Sequence, residues 1–311
     1  MSLPWVSLAW PRGGNGFIGS YVIRDLQRIG ASATVLDQEP GQHEGVGTLV
    51  EGICRPQAGS LIGEQKPEVV VHLAAQSRVA GSLEDPTLDA MTNIVGTDNV
   101  VTAAKKAGVA RIVVAPSGRT AYGGRRLGHR LRKSTRCVLA SQYGLSNATA
   151  DAYLLRHAPD AGLSLAITNV HDANGFGVVA KFVDIVQHCT RPRSDGGSQT
   201  RDSVHVTDVS AAIVRARAST HTGSICISSG KATSITELLR IVAGTVGRLV
   251  DPLYFPNIED AVLDNRRNIT RARKVLGWRP TIDVAAGIRQ LVAPATDPGS
   301  GTAGANTRWS R

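Results

Sequence analysis

One glycine-rich turn near the start of the chain narrows what it can fold into more than any other feature. Gly13, Gly16 and Gly19 recur at three-residue spacing in Gly13-Gly14-Asn15-Gly16-Phe17-Ile18-Gly19, ahead of a helical stretch from Ile18 to Ile29 that Gly30 closes. Such positions need glycine because a Cβ would block the tight turn and the approach of backbone N–H groups to a pyrophosphate at the helix N-terminus. The next apolar run, Ala33 to Leu36, ends in Asp37, where a carboxylate can accept from the ribose hydroxyls of an adenosine. Together these signals predict a dinucleotide cradle with Gly13, Asn15, Gly16, Phe17, Ile18, Gly19 and Asp37 against the cofactor. Asp37 would repel a 2′-phosphate, so NAD is favoured over NADP.

Beyond the turn, β-branched runs alternate with helical stretches, the pattern of βαβ units around a parallel sheet. Val69 to Leu73, Arg111 to Val114 and Leu163 to Asn169 read as buried strands, and Leu88 to Lys106 and about Gln142 to His157 as helices. Ser7 to Arg12 reads as a poor first strand, since Pro11 removes a ladder donor. The fold class is α/β: a Rossmann-type, doubly wound parallel sheet with a smaller C-terminal substrate-binding region. The expected division puts residues 1–168 and 201–228 in the dinucleotide-binding domain, 169–200 and 229–295 in the substrate region, and a Gly-rich disordered tail at 296–311.

Composition closes off other classes. No apolar run reaches the roughly eighteen residues of a membrane span, and the N-terminus shows no basic n-region of a signal peptide. Cys54, Cys137, Cys189 and Cys226 are widely separated, which suggests neither a zinc site nor a disulfide framework and fits a reducing cytoplasm. The net charge of +10 is local: seven basic residues lie between Arg119 and Arg136, and without them +10 − 7 leaves +3. No aromatic residues interleave those of 124–138 as stacking platforms, so nucleic acid is disfavoured as a partner.

Further along, motifs accumulate in a fixed order: His72-Leu73-Ala74-Ala75-Gln76, Asn93-Ile94-Val95-Gly96-Thr97, Tyr122-Gly123, Tyr143-Gly144-Leu145-Ser146, Asn169-Val170, Arg201 to Val209, and Leu276-Gly277-Trp278-Arg279-Pro280. From about Gly13 to Val292 the chain thereby resembles the NAD-dependent epimerase/dehydratase family of extended short-chain dehydrogenases. The resemblance implies hydride transfer between a sugar carbon and the nicotinamide, with a nucleotide-sugar as substrate and Ala74, Ala75, Asn93 and Tyr143 added to the cofactor contacts. It makes Tyr143 the general base and Ser117, with Thr120 second, its hydroxyl partner. Asn169 and Arg201 fall where the family contacts the nucleotide diphosphate, and an arginine fork suits a phosphate. Asp208 is expected to cap a helix beginning near Val209. A homodimer is the candidate assembly.

The chain departs from the family in one decisive place. The family's motif is Tyr-x-x-x-Lys, and here the residue four after Tyr143 is Asn147. Bringing a tyrosine from a pKa of ~10 to near 7 takes roughly 4 kcal/mol, about what a cation at ~4 Å supplies at an effective dielectric of ~20. Asn147 can hydrogen-bond a ribose but brings no charge. The expected activity is therefore an impaired sugar-nucleotide epimerase or related oxidoreductase, with a non-catalytic NAD-binding protein of the same fold as the alternative. Residues 2–12 and 124–138 diverge abruptly from well-matched neighbours, as drift or out-of-frame translation would produce.

Overall fold

The computed structural model describes residues 5–8, 14–41, 43–116, 141–168, 170–171, 177–188, 191, 193–195, 197–255 and 266–292. Its first half runs β1 (Trp5–Leu8), α1 (Phe17–Arg28), β2 (Thr34–Asp37), β3 (Gly47–Val50), α2 (Pro56–Gln65), β4 (Val69–His72), α3 (Val79–Glu84), α4 (Pro86–Ala90), a π-helical turn (Met91–Gly96), α5 (Thr97–Lys106), β5 (Arg111–Val114), α6 (Gln142–His157) and β6 (Gly162–Ile167). The second half runs β7 (Val170–His171), α7 (Gly177–His188), β8 (Arg193–Asp195), β9 (Thr200–Arg201), β10 (Val204–His205), α8 (Val206–Ala216), β11 (Gly223–Ile227), β12 (Thr233–Ser234), α9 (Ile235–Val246), β13 (Leu253–Phe255), α10 (Thr270–Leu276) and α11 (Val284–Val292).

Seven parallel strands form one sheet in the order β11-β6-β5-β4-β1-β2-β3. The order reverses at β1, which pairs with β2 through Val6↔Thr34 and with β4 through Leu8↔His72. In such sheets ligands bind outside the carboxyl ends of the strands at the switch point. The predicted doubly wound fold is what the chain adopts. Strand β1 covers Trp5–Leu8, and residues 9–12 of the expected first strand, Pro11 among them, lie outside the described residues.

Period-2 alternation sorts the sheet residues between two faces. Val69, Val71 and Val113 pack in one core with Val22 and Leu26 of α1 and Val209 and Ile213 of α8. Val70, Ile112 and Val114 pack in the other with Ala58 and Ile62 of α2, Val100 and Ala104 of α5 and Leu154 of α6. A third core joins α7, α9 and α11 through residues such as Phe182, Leu239 and Ile288.

Helix boundaries follow local chemistry. The expected Leu88–Lys106 helix starts earlier, at Pro86, because proline suits the first helical position and Asp85 Oδ1 accepts the Leu88 N–H at 2.8 Å. It is also interrupted by the π-helical turn, where a Cβ on Gly96 would come within 2.5 Å of Ile53 Cδ1. Strand β6 ends at Ile167, two residues before its expected end; the Thr168 N–H still closes the ladder on the carbonyl of Ile227, and Asn169 lies outside the described residues. Helix α6 spans the predicted Gln142–His157.

Candidate functional site

The glycine turn packs as tightly as its composition requires. Gly14 is buried against β2, and a Cβ there would stand 2.4 Å from Val35 Cγ1. Gly16 is the N-cap of α1, so no side chain there occupies the first-turn N–H groups, and no acidic residue sits in that turn. The positive end of the helix dipole is thus left for an anion. Ser20 Oγ donates to the Gly16 carbonyl at 2.8 Å, Gly19 is buried, Ile18 packs on the α1–α8 core, and the Phe17 ring meets Tyr21 edge-on.

Asp37 is fully buried at the end of β2 and organises this corner. Its Oδ2 accepts the Asn15 N–H and its Oδ1 the Glu39 N–H, each at 3.1 Å. Asn15 Nδ2 donates to the carbonyls of Glu39 and Pro40, while its buried Oδ1 has no partner. His43 Nε2 lies 3.3 Å from the Gly14 carbonyl. A turn that a Cβ would fill, an uncapped helix N-terminus, an orphaned buried amide oxygen and a carboxylate at the strand end fit a dinucleotide. Gly13 lies outside the described residues.

The second half of the site stands at the ends of β4 and β5. Ser141 Oγ caps α6 by accepting the Gly144 N–H, and Ser82 Oγ accepts the N–H of buried Tyr143 at 3.2 Å. Asn147 is also buried, and its Nδ2 donates to the Tyr143 carbonyl at 2.9 Å, so the amide is turned back along its own helix. Asn93, on the π-helical turn, accepts the Gln76 N–H at 2.8 Å and donates to Asp89 Oδ1, the Gln76 carbonyl and Ser146 Oγ. These bonds fix the segment after β4 against α6. Ala74, Ala75, Asn93 and Asn147 line one concavity with His72, Thr97 and the end of β5, enclosing about 270 Å³ of space including its open mouth. His72 Nε2 is 2.9 Å from Thr97 Oγ1, and burial pushes this imidazole down to about 4. Ser117 and Thr120 lie outside the described residues.

On the far side, Arg201 is half-buried in β9, with Nη1 on the Thr200 carbonyl and Nη2 on Gln199 Oε1, each at 2.8 Å. Buried Asp202 accepts from the N–H groups of Ser229, Gly230 and Arg267. Asp208 does not cap the helix as expected. Helix α8 begins at Val206 with His205 as N-cap, and Asp208 accepts Thr281 N–H, Thr281 Oγ1 and Ile282 N–H instead. It lies inside the first turn, where its carboxylate pins the segment ahead of α11. Asn169 lies outside the described residues.

Comparison with known proteins gives this arrangement a lineage. Residues 12–226 match the model of the NAD dependent epimerase/dehydratase family. The chain belongs to this family. It is 34% identical over 301 residues to UDP-glucose 4-epimerase of Mycolicibacterium smegmatis, covering 90% of this chain and 96% of that one. It is 31% identical to a putative UDP-glucose 4-epimerase of Methanocaldococcus jannaschii, covering 90% and 95%. Among solved structures it superposes on UDP-glucose 4-epimerase of Thermotoga maritima with UDP-glucose at a TM-score of 0.84 and 25% identity, covering 93% and 97%. The Thermus thermophilus enzyme in complex with NAD gives 0.82 and 26%, covering 93% and 98%.

In this member of the family the residue four after Tyr143 is Asn147. Gly14, His43, Ser82 and Asp89 were not legible as site residues. Each acts through a neighbour distant in sequence, and only the Gly14 signal, a second glycine inside the turn, was visible beforehand. Among the described residues there is no cluster of metal ligands and no helix long and apolar enough to cross a membrane.

Proposed function

We propose that this protein is a sugar-nucleotide epimerase slowed by the loss of its lysine, working on a nucleotide-sugar whose diphosphate is held by Arg201 and Asn169. The observation that carries the reading is the pairing on α6: Tyr143 and Asn147 stand one turn apart, and Asn147 lines the concavity bounded by Ala74, Ala75 and Asn93. Relatives that share the family and bear the name UDP-glucose 4-epimerase support the same substrate class. NAD, when bound, takes up and returns the hydride.

The chain's own residues do the rest. Tyr143 moves the proton of the sugar hydroxyl at its phenol oxygen, and Ser117, with Thr120 second, hydrogen-bonds the same hydroxyl. Gly14 to Gly19 and Asp37 bind the adenosine half of the cofactor. The third core, around α7, α9 and α11, forms the substrate-binding region. Residence in the cytoplasm and assembly as a homodimer belong to the same proposal, the latter read from the sedimentation mass of the purified chain.

A second reading, a non-catalytic NAD-binding protein, is favoured by the Asn147 amide, which bonds the Tyr143 backbone and adds no charge near its phenol. The pH profile of hydride transfer with a panel of UDP- and dTDP-sugars decides between them. With an impaired base the rate climbs with pH above neutrality, and Asn147→Lys moves the rising limb down by up to about three units, the effect of one well-placed charge. Absence of turnover in both proteins at every pH, with NAD bound, establishes the second reading.

A further inference from the structure

Tyr143 enters α6 too early to be served by its own helix. It is the second residue of α6, so its N–H is one of the first-turn donors that a helix leaves without an internal acceptor, and the N-cap hydroxyl of Ser141 accepts the Gly144 N–H. The acceptor comes from α3 instead: Ser82 Oγ, at 3.2 Å. Ser82 is fully buried and gives its own proton to the Val79 carbonyl at 2.7 Å, so its oxygen turns lone pairs toward Tyr143. One turn along α6, Ser146 Oγ donates to the Tyr143 carbonyl at 3.2 Å and accepts from Asn93 Nδ2 at 3.1 Å. Both backbone polar groups of Tyr143 are therefore tied to the stretch from Ala74 to Asn93, and Ala74, Ala75 and Asn93 of that stretch line the concavity.

We propose that Ser82 is a positioning residue: by anchoring the Tyr143 backbone to the cofactor-lining segment, it sets where the phenol stands relative to the nicotinamide. Its importance for the reaction rests on NAD occupying the concavity and on Tyr143 being the base. A phenol follows its own Cα, and with Tyr143 7% exposed the ring has little freedom to compensate for a shift of the backbone. The oxidised nicotinamide carries a positive charge that favours the phenolate and the reduced ring carries none, so the gap between the phenol titrations with NAD and with NADH reports that placement. At an effective dielectric of ~20, about 1 Å of retreat from a charge ~4 Å away weakens its pull by about 0.6 pH unit, roughly fourfold in phenolate. Ser141 supplies the comparison. It caps the same turn of α6 through the Gly144 N–H, so its loss costs the helix a hydroxyl acceptor without removing the bond from Tyr143 to Ser82.

The test compares the full chain with Ser82→Ala and Ser141→Ala, each beside its Tyr143→Phe counterpart, so that the ultraviolet titration of this one phenol is obtained by difference. In Ser82→Ala the gap between the NAD-loaded and NADH-loaded titrations should narrow by at least about half a pH unit, roughly threefold in phenolate, while NAD affinity stays nearly constant. Ser141→Ala should keep the gap of the parent. In NAD-free protein the Tyr143 amide should exchange with deuterium at least about tenfold faster in Ser82→Ala, and the Gly144 amide should do so in Ser141→Ala. Equal narrowing in both variants, no narrowing in either, or a Tyr143 amide unaffected by Ser82→Ala overturns the proposal. Turnover of nucleotide-sugars by the parent, together with an unchanged gap in Ser82→Ala, leaves the catalytic reading standing and removes Ser82. A gap that narrows as expected in a protein without turnover does the reverse. A parent with no gap at all overturns both.

Discussion

His171 is the residue through which acid should unfold this protein. It sits in β7 at 1% exposure, its ring centroid 5.3 Å from that of His205 at 77°, and neither of its ring nitrogens has a partner. A Cβ on Gly287 would approach its Cε1 to 2.5 Å, so α11 closes that side. Burial, reinforced by the neighbouring His205, takes His171 from its ordinary 6.5 down to about 4. In the unfolded chain it binds a proton near 6.5 while the native ring does not, so stability is complete above that pH and is lost as pH falls toward 4. A gap of about 2.5 units at 1.36 kcal/mol each is about 3 kcal/mol, a large share of a typical 5–15 kcal/mol. His72 is held at about 4 by burial as well, so two histidines each contribute a slope near 1.4 kcal/mol per pH unit. His205 is also lowered by burial, with Asp208 opposing, and adds to the same trend. His171→Phe keeps the ring and removes two unsatisfied nitrogens, so urea unfolding at pH 7 should differ by less than about 1.5 kcal/mol. Between pH 6 and 4.5 the variant should lose stability roughly half as steeply as the parent. An unaltered slope, or a His171 ring resonance that titrates near 6.5 in the folded protein, would refute the reasoning.

Asp151 on α6 is half-buried beside Ser164 and Ser224, and desolvation raises its carboxyl above the ordinary value, so the native state binds the proton more tightly than the unfolded chain. Asp151→Asn should then stabilise the protein at pH 7 and lessen the fall in stability as pH rises through that raised value, an effect visible in urea midpoints across pH. Asp37→Asn should weaken NAD binding in calorimetry and shrink its advantage over NADP, whereas equal affinities of the parent for both cofactors would remove Asp37 from ribose recognition. Arg201→Ala should cost nucleotide-sugar affinity about 1.5 to 3 kcal/mol while NAD affinity stays nearly constant; loss of both together would make Arg201 a structural residue of the β9–β12 pair.

Local chemistry decided much of this protein before any tertiary contact formed. A glycine turn followed by an amphipathic helix and a strand ending in Asp37 has few folding solutions, because glycine freedom and apolar period are short-range properties. For the same reason α6 and β5 are placed correctly by pattern alone, and Tyr143 and Asn147 share a helix face wherever the helix lies. Boundaries set by distant partners were not legible. The π-helical turn forms where Gly96 meets Ile53, and Asp208 serves Thr281 more than seventy residues away instead of its own helix end. The same holds for the chemistry. The sequence by itself determined that Tyr143 has no lysine four residues on. Only the tertiary structure decided that Tyr143 and Asn147 are buried, and that His72 of β4 and Asn93 of the π-helical turn line one concavity with Asn147. Burial and the absence of a counter-charge are properties of neighbours that β4, the π-helical turn and α6 bring together from across the chain.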